Sequence, residues 1–240
     1  MALSFKYTKY FLLTFGVIAI DQLVKLLVHF NMVLGQRGEL KVFGEWFKLH
    51  YILNEGMAFG MSFGSDYGKL GLTLFRLVAM VVIGIYLYRM AKKGTHAGLL
   101  WCIALILGGA IGNVVDSIFY GVFLNNADPN AITPWFHGKV VDMFYLDIWE
   151  GYVADWVPLW GGEKIALWPI FNVADASIFI GVALILIFQK RYFAKPVEEV
   201  VGPEVAEATA TEGGDFDPTA WAGENTDGDD TRSQSMEDRD

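Results

Sequence analysis

One cysteine, Cys102, is all that the 240-residue chain carries, and it sits in an apolar run. A single thiol excludes an intramolecular disulfide and any cysteine-based zinc cluster. The four histidines are scattered and no His-Glu-x-x-His pair occurs, so neither a metal site nor a cofactor is expected. The phosphate-cradling Walker loop is also missing, which removes the P-loop reading. No nucleic-acid partner is expected either.

What is present is apolar. Hydrophobic residues make up 54% and aromatics 15% of the chain, and mean hydropathy is +0.37. That is too apolar for an ordinary soluble domain and points to a polytopic membrane protein. The net charge of −9 misleads, because residues 196–240 hold 14 of the 27 acids and 2 of the 18 bases. The body before them is therefore mildly basic, at +3. The division expected is a membrane domain over 1–195 and an acidic tail over 196–240. The tail is rich in Ala, Gly, Thr, Asp and Glu and too poor in large apolar residues to order itself, so disorder is expected.

Four runs have the length of a membrane span, about twenty residues for a hydrocarbon core of roughly 30 Å. They are Phe11 to Phe30, Leu70 to Tyr88, Gly98 to Val115 and Pro169 to Phe188. The first contains Asp21, Gln22, Lys25 and His29 and lacks a small-residue cleavage site after it, so it reads as an uncleaved helix rather than a signal peptide. Between the first two runs, Leu40–Phe43, Gly44-Glu45 and Trp46–Leu53 read as a β-hairpin. Phe47, Leu49, Tyr51 and Leu53 share one face, and Gly-x can make a two-residue turn. Residues 117–168 form a long connection holding five of the eight tryptophans, Trp135, Trp149, Trp156, Trp160 and Trp168. Tryptophan favours the membrane–water boundary, so this segment is expected to lie along it.

Basic residues flank one end of every run: Lys6 and Lys9, then Arg89, Lys92 and Lys93, then Lys190, Arg191 and Lys195. The positive-inside rule makes that side cytoplasmic, with both termini inside and the 31–69 and 117–168 segments outside. Asn54, Asp142 and Asp175 then fall near the same outer face.

An ionisable residue in such a segment is a candidate functional site with a partner to be found. Asp175, in Phe171-Asn172-Val173-Ala174-Asp175-Ala176-Ser177, opens the last run, and Asp142, in Lys139-Val140-Val141-Asp142-Met143, is the candidate partner. Two carboxyls sharing a site do not both ionise easily, so one keeps a proton. The ionised one can take a proton from an attacking water while the other donates to a peptide carbonyl. The plainer alternatives stay open: Asp175 as a helix-capping carboxylate, with Pro169 just inside the helix start, and Asp142 as a solvated loop acid. Asn172 and Asp175, like Asn113 and Asp116, are three apart and share a helix face. Asp21 and Lys25 are four apart with the acid first, as a structural ion pair would be. Gly108-x-x-x-Gly112 allows close helix approach, which generic packing alone explains. Arg76 either snorkels outward or pairs near the site.

Five blocks taken in order resemble one family. They are Asp21-Gln22-Leu23-Val24-Lys25, Asn54-Glu55-Gly56-Met57-Ala58-Phe59-Gly60, Gly108-Gly109-Ala110-Ile111-Gly112-Asn113-Val114-Val115-Asp116, Val140-Val141-Asp142-Met143, and the stretch from Phe171 to Ser177. Together they are similar to the lipoprotein signal peptidases, bacterial type II signal peptidases. The resemblance implies an all-α membrane protein of four transmembrane helices with a small extracytoplasmic β-cradle, in the bacterial inner membrane. It implies an aspartyl endopeptidase that cuts a prolipoprotein just before a diacylglyceryl-modified cysteine and is blocked by globomycin. Its catalytic pair falls on Asp142 and Asp175, and its supporting residues on Asp21, Lys25, Asn54, Gly56, Gly108, Asn113, Asp116, Asn172 and Ala174. The partners implied are prolipoproteins and membrane lipids, with the chain a monomer. Two features depart from the family: Ser117 stands where arginine often follows the acid, and the connections on either side of Asp142 are long. Two other readings compete. Another intramembrane aspartyl protease would carry Gly-x-Gly-Asp, which is not found. A small transporter or channel subunit lined by these carboxylates would be favoured by internal repeat symmetry, which is also not found.

Overall fold

The computed structural model describes residues 5–56, 66–152, 154, 156, 161–162, 164–166 and 168–193. The expectations for the acidic tail, and for Met57 to Gly60 of the second block, lie outside the described residues.

Helix α1 spans Phe5–Asn31 and leads into an antiparallel hairpin, β1 (Leu40–Phe43) and β2 (Phe47–Asn54). Helix α2 covers Asp66–Lys92 and α3 Ala97–Val115. The third run does not stop at Val115 as the sequence suggests. It continues through a widened π-helical turn, Asp116–Tyr120, into a short helical turn, α4 (Gly121–Phe123). Strands β3 (Val140–Leu146), β4 (Glu150–Tyr152) and β5 (Lys164–Ala166) follow, then α5 (Val173–Tyr192).

Among the described residues, three helical stretches are long and apolar enough to cross a membrane, Tyr7–Asn31, Tyr67–Lys92 and Ala97–Phe123. The apolar part of the fourth, Val173–Ile187, is shorter. The expected start at Pro169 is wrong by four residues, because the chain there does other work. Phe171 bridges to Phe144 of β3, its N–H donating to the Phe144 carbonyl at 3.0 Å. Asn172 then caps the helix. Pro169 is therefore outside α5, not in its first turn.

Helix α3 is central and packs against α1, α2 and α5. Glycines set the spacing. A Cβ on Gly108 would meet Val17 of α1, one on Gly109 the Ala174 carbonyl of α5, and one on Gly112 the Asp21 carboxylate. Close helix approach is thus the role of Gly108, and clearance for a carboxylate that of Gly112. Tyr10, Leu87, Leu100, Ala104 and Leu107 form one apolar core among α1, α2 and α3. Val28, Tyr51, Tyr120, Val141 and Met143 form a second, where α1 meets the sheet.

The hairpin exists where expected, but its turn has three residues. Phe43 pairs with Phe47, and Gly44 takes φ +55°, a left-handed conformation that suits glycine. β2 then pairs antiparallel with β3, giving the order β1-β2-β3, with Ile52 opposite Asp142 and Asn54 opposite Val140. Leu49, Tyr51 and Leu53 pack in or against the second core, as the period-two pattern requires. The β4–β5 pair was not legible in the tryptophan-rich connection.

Candidate active site

Five elements converge on one buried polar cluster. β3 brings Asp142, the start of α5 brings Asn172, Ala174 and Asp175, and the end of α3 brings Asn113 and Asp116. Helix α1 supplies Asp21, Gln22 and Lys25, and the end of β2 supplies Asn54. Asp21, Lys25, Asp116, Asp142 and Asn172 have no solvent exposure at all. Among the described residues every buried side-chain nitrogen and oxygen has a hydrogen-bond partner, as a cluster so costly to desolvate requires.

The two candidate aspartates are joined through asparagines. Asn172 Nδ2 donates to Asp142 Oδ1 at 2.6 Å, and Asn54 Nδ2 donates to Asp142 Oδ2 at 2.9 Å. Asn113 Nδ2 donates to Asp175 Oδ1 at 2.8 Å, and the Asn172 backbone N–H reaches Asp175 Oδ2 at 3.3 Å. Each amide is aimed from behind by a donor on its own oxygen. Gly56 N–H donates to Asn54 Oδ1 at 2.8 Å, Lys25 Nζ to Asn113 Oδ1 at 3.0 Å, and Asp175 N–H to Asn172 Oδ1 at 2.9 Å. With the oxygens so engaged, the three NH₂ groups face the carboxylates.

Asp175 caps its helix, as the plainer reading has it, and through Asn172 it is also linked to Asp142. Asn172 and Asp175 form a reciprocal capping box at the start of α5. The same geometry leaves the other Asp175 oxygen for Asn113, and Asn172 Nδ2 for Asp142. The solvated-loop reading of Asp142 is overturned, since it is fully buried on a strand.

Asp142 lies outside the membrane-spanning helices. Burial first, and then the Asp175 carboxylate, push its pKa up to about 7, against the hydrogen bonds from Asn54 and Asn172 and the charge of Lys25.

Lys25 is held between Asp21 at 2.9 Å and Asp116 at 2.7 Å. The expected pair of Asp21 and Lys25 is therefore a triad. Its carboxylates also brace the elements that carry Asp142 and Asp175: Asp21 Oδ1 accepts from Ala174 N–H in the first turn of α5 at 2.8 Å, and Asp116 Oδ2 accepts from Val141 N–H, next to Asp142, at 3.3 Å. A carboxylate at a helix N-terminus meets an otherwise unpaired N–H and the favourable end of the dipole. Gln22, not singled out in the sequence, donates to Asp116 Oδ1 at 2.9 Å and accepts from Tyr120 OH at 2.9 Å. Its signal was a lone amide in an apolar run, one position from Asp21. Gly56 takes φ +95°, and its N–H and carbonyl both serve the site.

Arg76 does not snorkel away. Its Nη2 donates to the Gly56 carbonyl and its Nη1 lies 3.5 Å from Ser117 Oγ. It borders a cavity of about 690 Å³ that Asp175, Asn113, Asn54 and Gly56 also line. Apolar residues make up much of the rest of its lining, with Leu146, Trp168, Phe171, Phe179 and Ile180. Asp175 lines this space, and so does Asn54, which donates to Asp142.

The cluster places two carboxyls with shared hydrogen-bonding partners beside a half-apolar cavity, which suits acid–base attack on a bound amide. Comparison with known proteins agrees. The profile of the family described as "Signal peptidase (SPase) II" matches residues 13–190. A protein named lipoprotein signal peptidase from Amoebophilus asiaticus is 44% identical over 208 residues, covering 86% of this chain and 88% of the relative. One of the same name from Porphyromonas gingivalis is 42% identical over 185 residues, covering 72% and 79%. A solved structure described as a bacterial membrane enzyme at 2.3 Å shares the fold, with a TM-score of 0.53 at 24% identity, covering 80% of this chain and 94% of that one.

Proposed function

The chain belongs to the signal peptidase II family, and on that premise we propose that Asp142 and Asp175 are the catalytic pair with which it removes the signal peptide of lipoproteins. It is a multi-pass membrane protein and an aspartic peptidase, and prolipoproteins are its substrates. The observation that carries the pair is their joint suspension from Asn172, whose side-chain NH₂ donates to Asp142, whose side-chain oxygen accepts from Asp175 N–H and whose backbone N–H donates to the Asp175 carboxylate.

Asp142, buried and raised to about 7, is the carboxyl that keeps a proton. Asp175, open to the cavity, is the one that activates water. Water adds to the scissile carbonyl carbon as Asp175 takes its proton and Asp142 donates to the carbonyl oxygen, giving a gem-diol. On collapse the carbon–nitrogen bond breaks, Asp175 returns its proton to the leaving amine, and a diol hydroxyl returns one to Asp142. Both carboxyls end as they began.

The supporting residues hold this geometry. Asn54, Asn113 and Asn172 orient the two carboxyls. Asp21, Lys25 and Asp116 fix α1, α3 and the start of α5, while Gly56, Gly108 and Ala174 provide close approach and backbone N–H groups.

The apolar cavity wall supports a diacylglyceryl chain as the recognised group, with the cut just before the cysteine that bears it. The basic ends of the helices, Arg89, Lys92, Lys190 and Arg191, support both termini lying in the cytoplasm and the site on the outer side of the bacterial inner membrane. Among the described residues the buried polar groups of the site are satisfied within the chain, so no second subunit is needed to complete it, and a monomer among membrane lipids is the reading proposed. Globomycin is expected to block the cavity.

Lipid dependence tests the substrate. The protein in bilayers is given one prolipoprotein sequence with and without the diacylglyceryl group. Cleavage of the lipidated form alone, stopped by globomycin, is expected. Equal cleavage of both forms would point to an intramembrane protease of another kind.

A further inference from the structure

Peptide hydrolysis inside a membrane creates a problem that the two aspartates do not solve. The reaction makes a new carboxyl group on the signal peptide, which ionises by giving its proton to the released amine, next to a pair that itself carries one negative charge. In a site of low dielectric that repulsion is large unless a cation lies close.

The cations near the site are not equivalent. Lys25 is fully buried and spent on Asp21 and Asp116. Lys69 and Lys139 are tied to Glu55, Lys139 at 2.7 Å. Arg76 differs from all three. Among the described residues no carboxylate lies in ion-pair contact with it. Arg76 and Asp175 line the same cavity. The guanidinium has five N–H donors. The described residues occupy few of them, the Gly56 carbonyl and the distant Ser117 hydroxyl, and those two contacts hold the head at the cavity wall. A cation anchored by neutral groups, beside a carboxylate it does not touch, is placed to receive an anion from the cavity. Arginine also suits a carboxylate geometrically, since its planar fork donates two parallel bonds to the two oxygens.

We propose that Arg76 binds the carboxylate that hydrolysis creates at the C-terminus of the released signal peptide, and stabilises the negative charge that develops on the same oxygens during attack. This rests on the peptidase reading above and adds a group that touches product. No bond to Arg76 forms or breaks, and the arginine stays protonated throughout.

The test uses product peptides as inhibitors. The purified full-length protein in bilayers cleaves a lipidated prolipopeptide in the presence of a synthetic signal peptide ending at the cleavage point. That peptide is made as the free acid and as the C-terminal amide. The acid is expected to inhibit at least tenfold more tightly than the amide, the range of a charge-assisted hydrogen bond. In Arg76→Gln the two forms should inhibit equally, with kcat reduced. In Arg76→Lys, which keeps the charge but loses the fork, part of the preference should remain. Equal inhibition by acid and amide in the unaltered protein would overturn the proposal without needing any variant to fold. An undiminished preference in Arg76→Gln would do the same. Either result leaves the peptidase reading intact so long as the unaltered protein cleaves its substrate, whereas failure of that cleavage sinks the reading itself.

Discussion

Asn172 is the residue on which cap, pairing and chemistry meet, and substituting it separates them. In Asn172→Ala the N-cap of α5 is lost, which costs about 1 kcal/mol. Asp142 Oδ1 also loses its 2.6 Å donor inside a fully buried site, and leaving that acceptor unsatisfied costs a further ~1–3 kcal/mol. A total of about 2–4 kcal/mol is expected. In Asn172→Ser the hydroxyl still accepts from Asp175 N–H, so the helix cap survives, but it does not reproduce the amide that spans to Asp142. The serine variant should therefore recover about 1 kcal/mol of stability relative to alanine, while its kcat/KM stays about 10- to 100-fold below the unaltered protein. Thermal unfolding in bilayers and initial rates of lipidated prolipopeptide cleavage read the two quantities on the same samples. If the serine variant cleaved at the normal rate, the amide bridge between the two aspartates would have no part in catalysis. If alanine and serine lost equal stability, the cap assignment would be wrong.

The raised pKa of Asp142 predicts a pH dependence with a definite sign. Its folded value, about 7, exceeds the ordinary carboxylate value, so its contribution to stability is complete at acid pH, below about 4, and is lost as pH rises through 7. Thermal stability should fall from pH 5 to pH 8, and Asp142→Asn should flatten that slope and be the more stable protein at pH 8, though inactive. Cleavage rate should decline above about pH 7 as the acid loses its proton, and decline again at low pH once both carboxyls are protonated. A separate substitution tests the helix spacing. Gly112→Ala puts a methyl against the Asp21 carboxylate and should cost about 1–3 kcal/mol, whereas Gly16→Ala, with nothing within 4 Å, should be neutral or mildly stabilising. Thermal unfolding of the two variants distinguishes them.

Much of this site was legible before any coordinates, for identifiable reasons. A carboxylate in an apolar run is expensive, so Asp21 and Asp175 drew notice, and i, i+3 spacing set Asn172 beside Asp175. The hairpin followed from period-two alternation. What stayed hidden depends on contacts distant in sequence. Asp142 and Asp175 are 33 positions apart, and nothing local says that Phe171 pairs with Phe144 and so delivers both to one place. The end of α3 was misplaced because Asn113 and Asp116 resemble a polar stop, while the π-helical turn lets the helix run on with Asp116 bound to Lys25. The start of α5 was misplaced because Pro169 suits a first turn, yet the residues after it are used in the bridge to β3. Arg76 was ambiguous because snorkelling and site-lining place it on the same side of α2, and only the Gly56 carbonyl decides between them.

The central claim is that Asp142 and Asp175 act as one catalytic unit, and the most direct measurement is the cleavage rate of a lipidated prolipopeptide by Asp142→Asn, Asp175→Asn and the double variant, each verified as folded in bilayers. Groups that act as a unit are non-additive, so each single variant should fall to the level of the double. Substantial activity in either single variant, or a double variant far below both, would contradict the pairing.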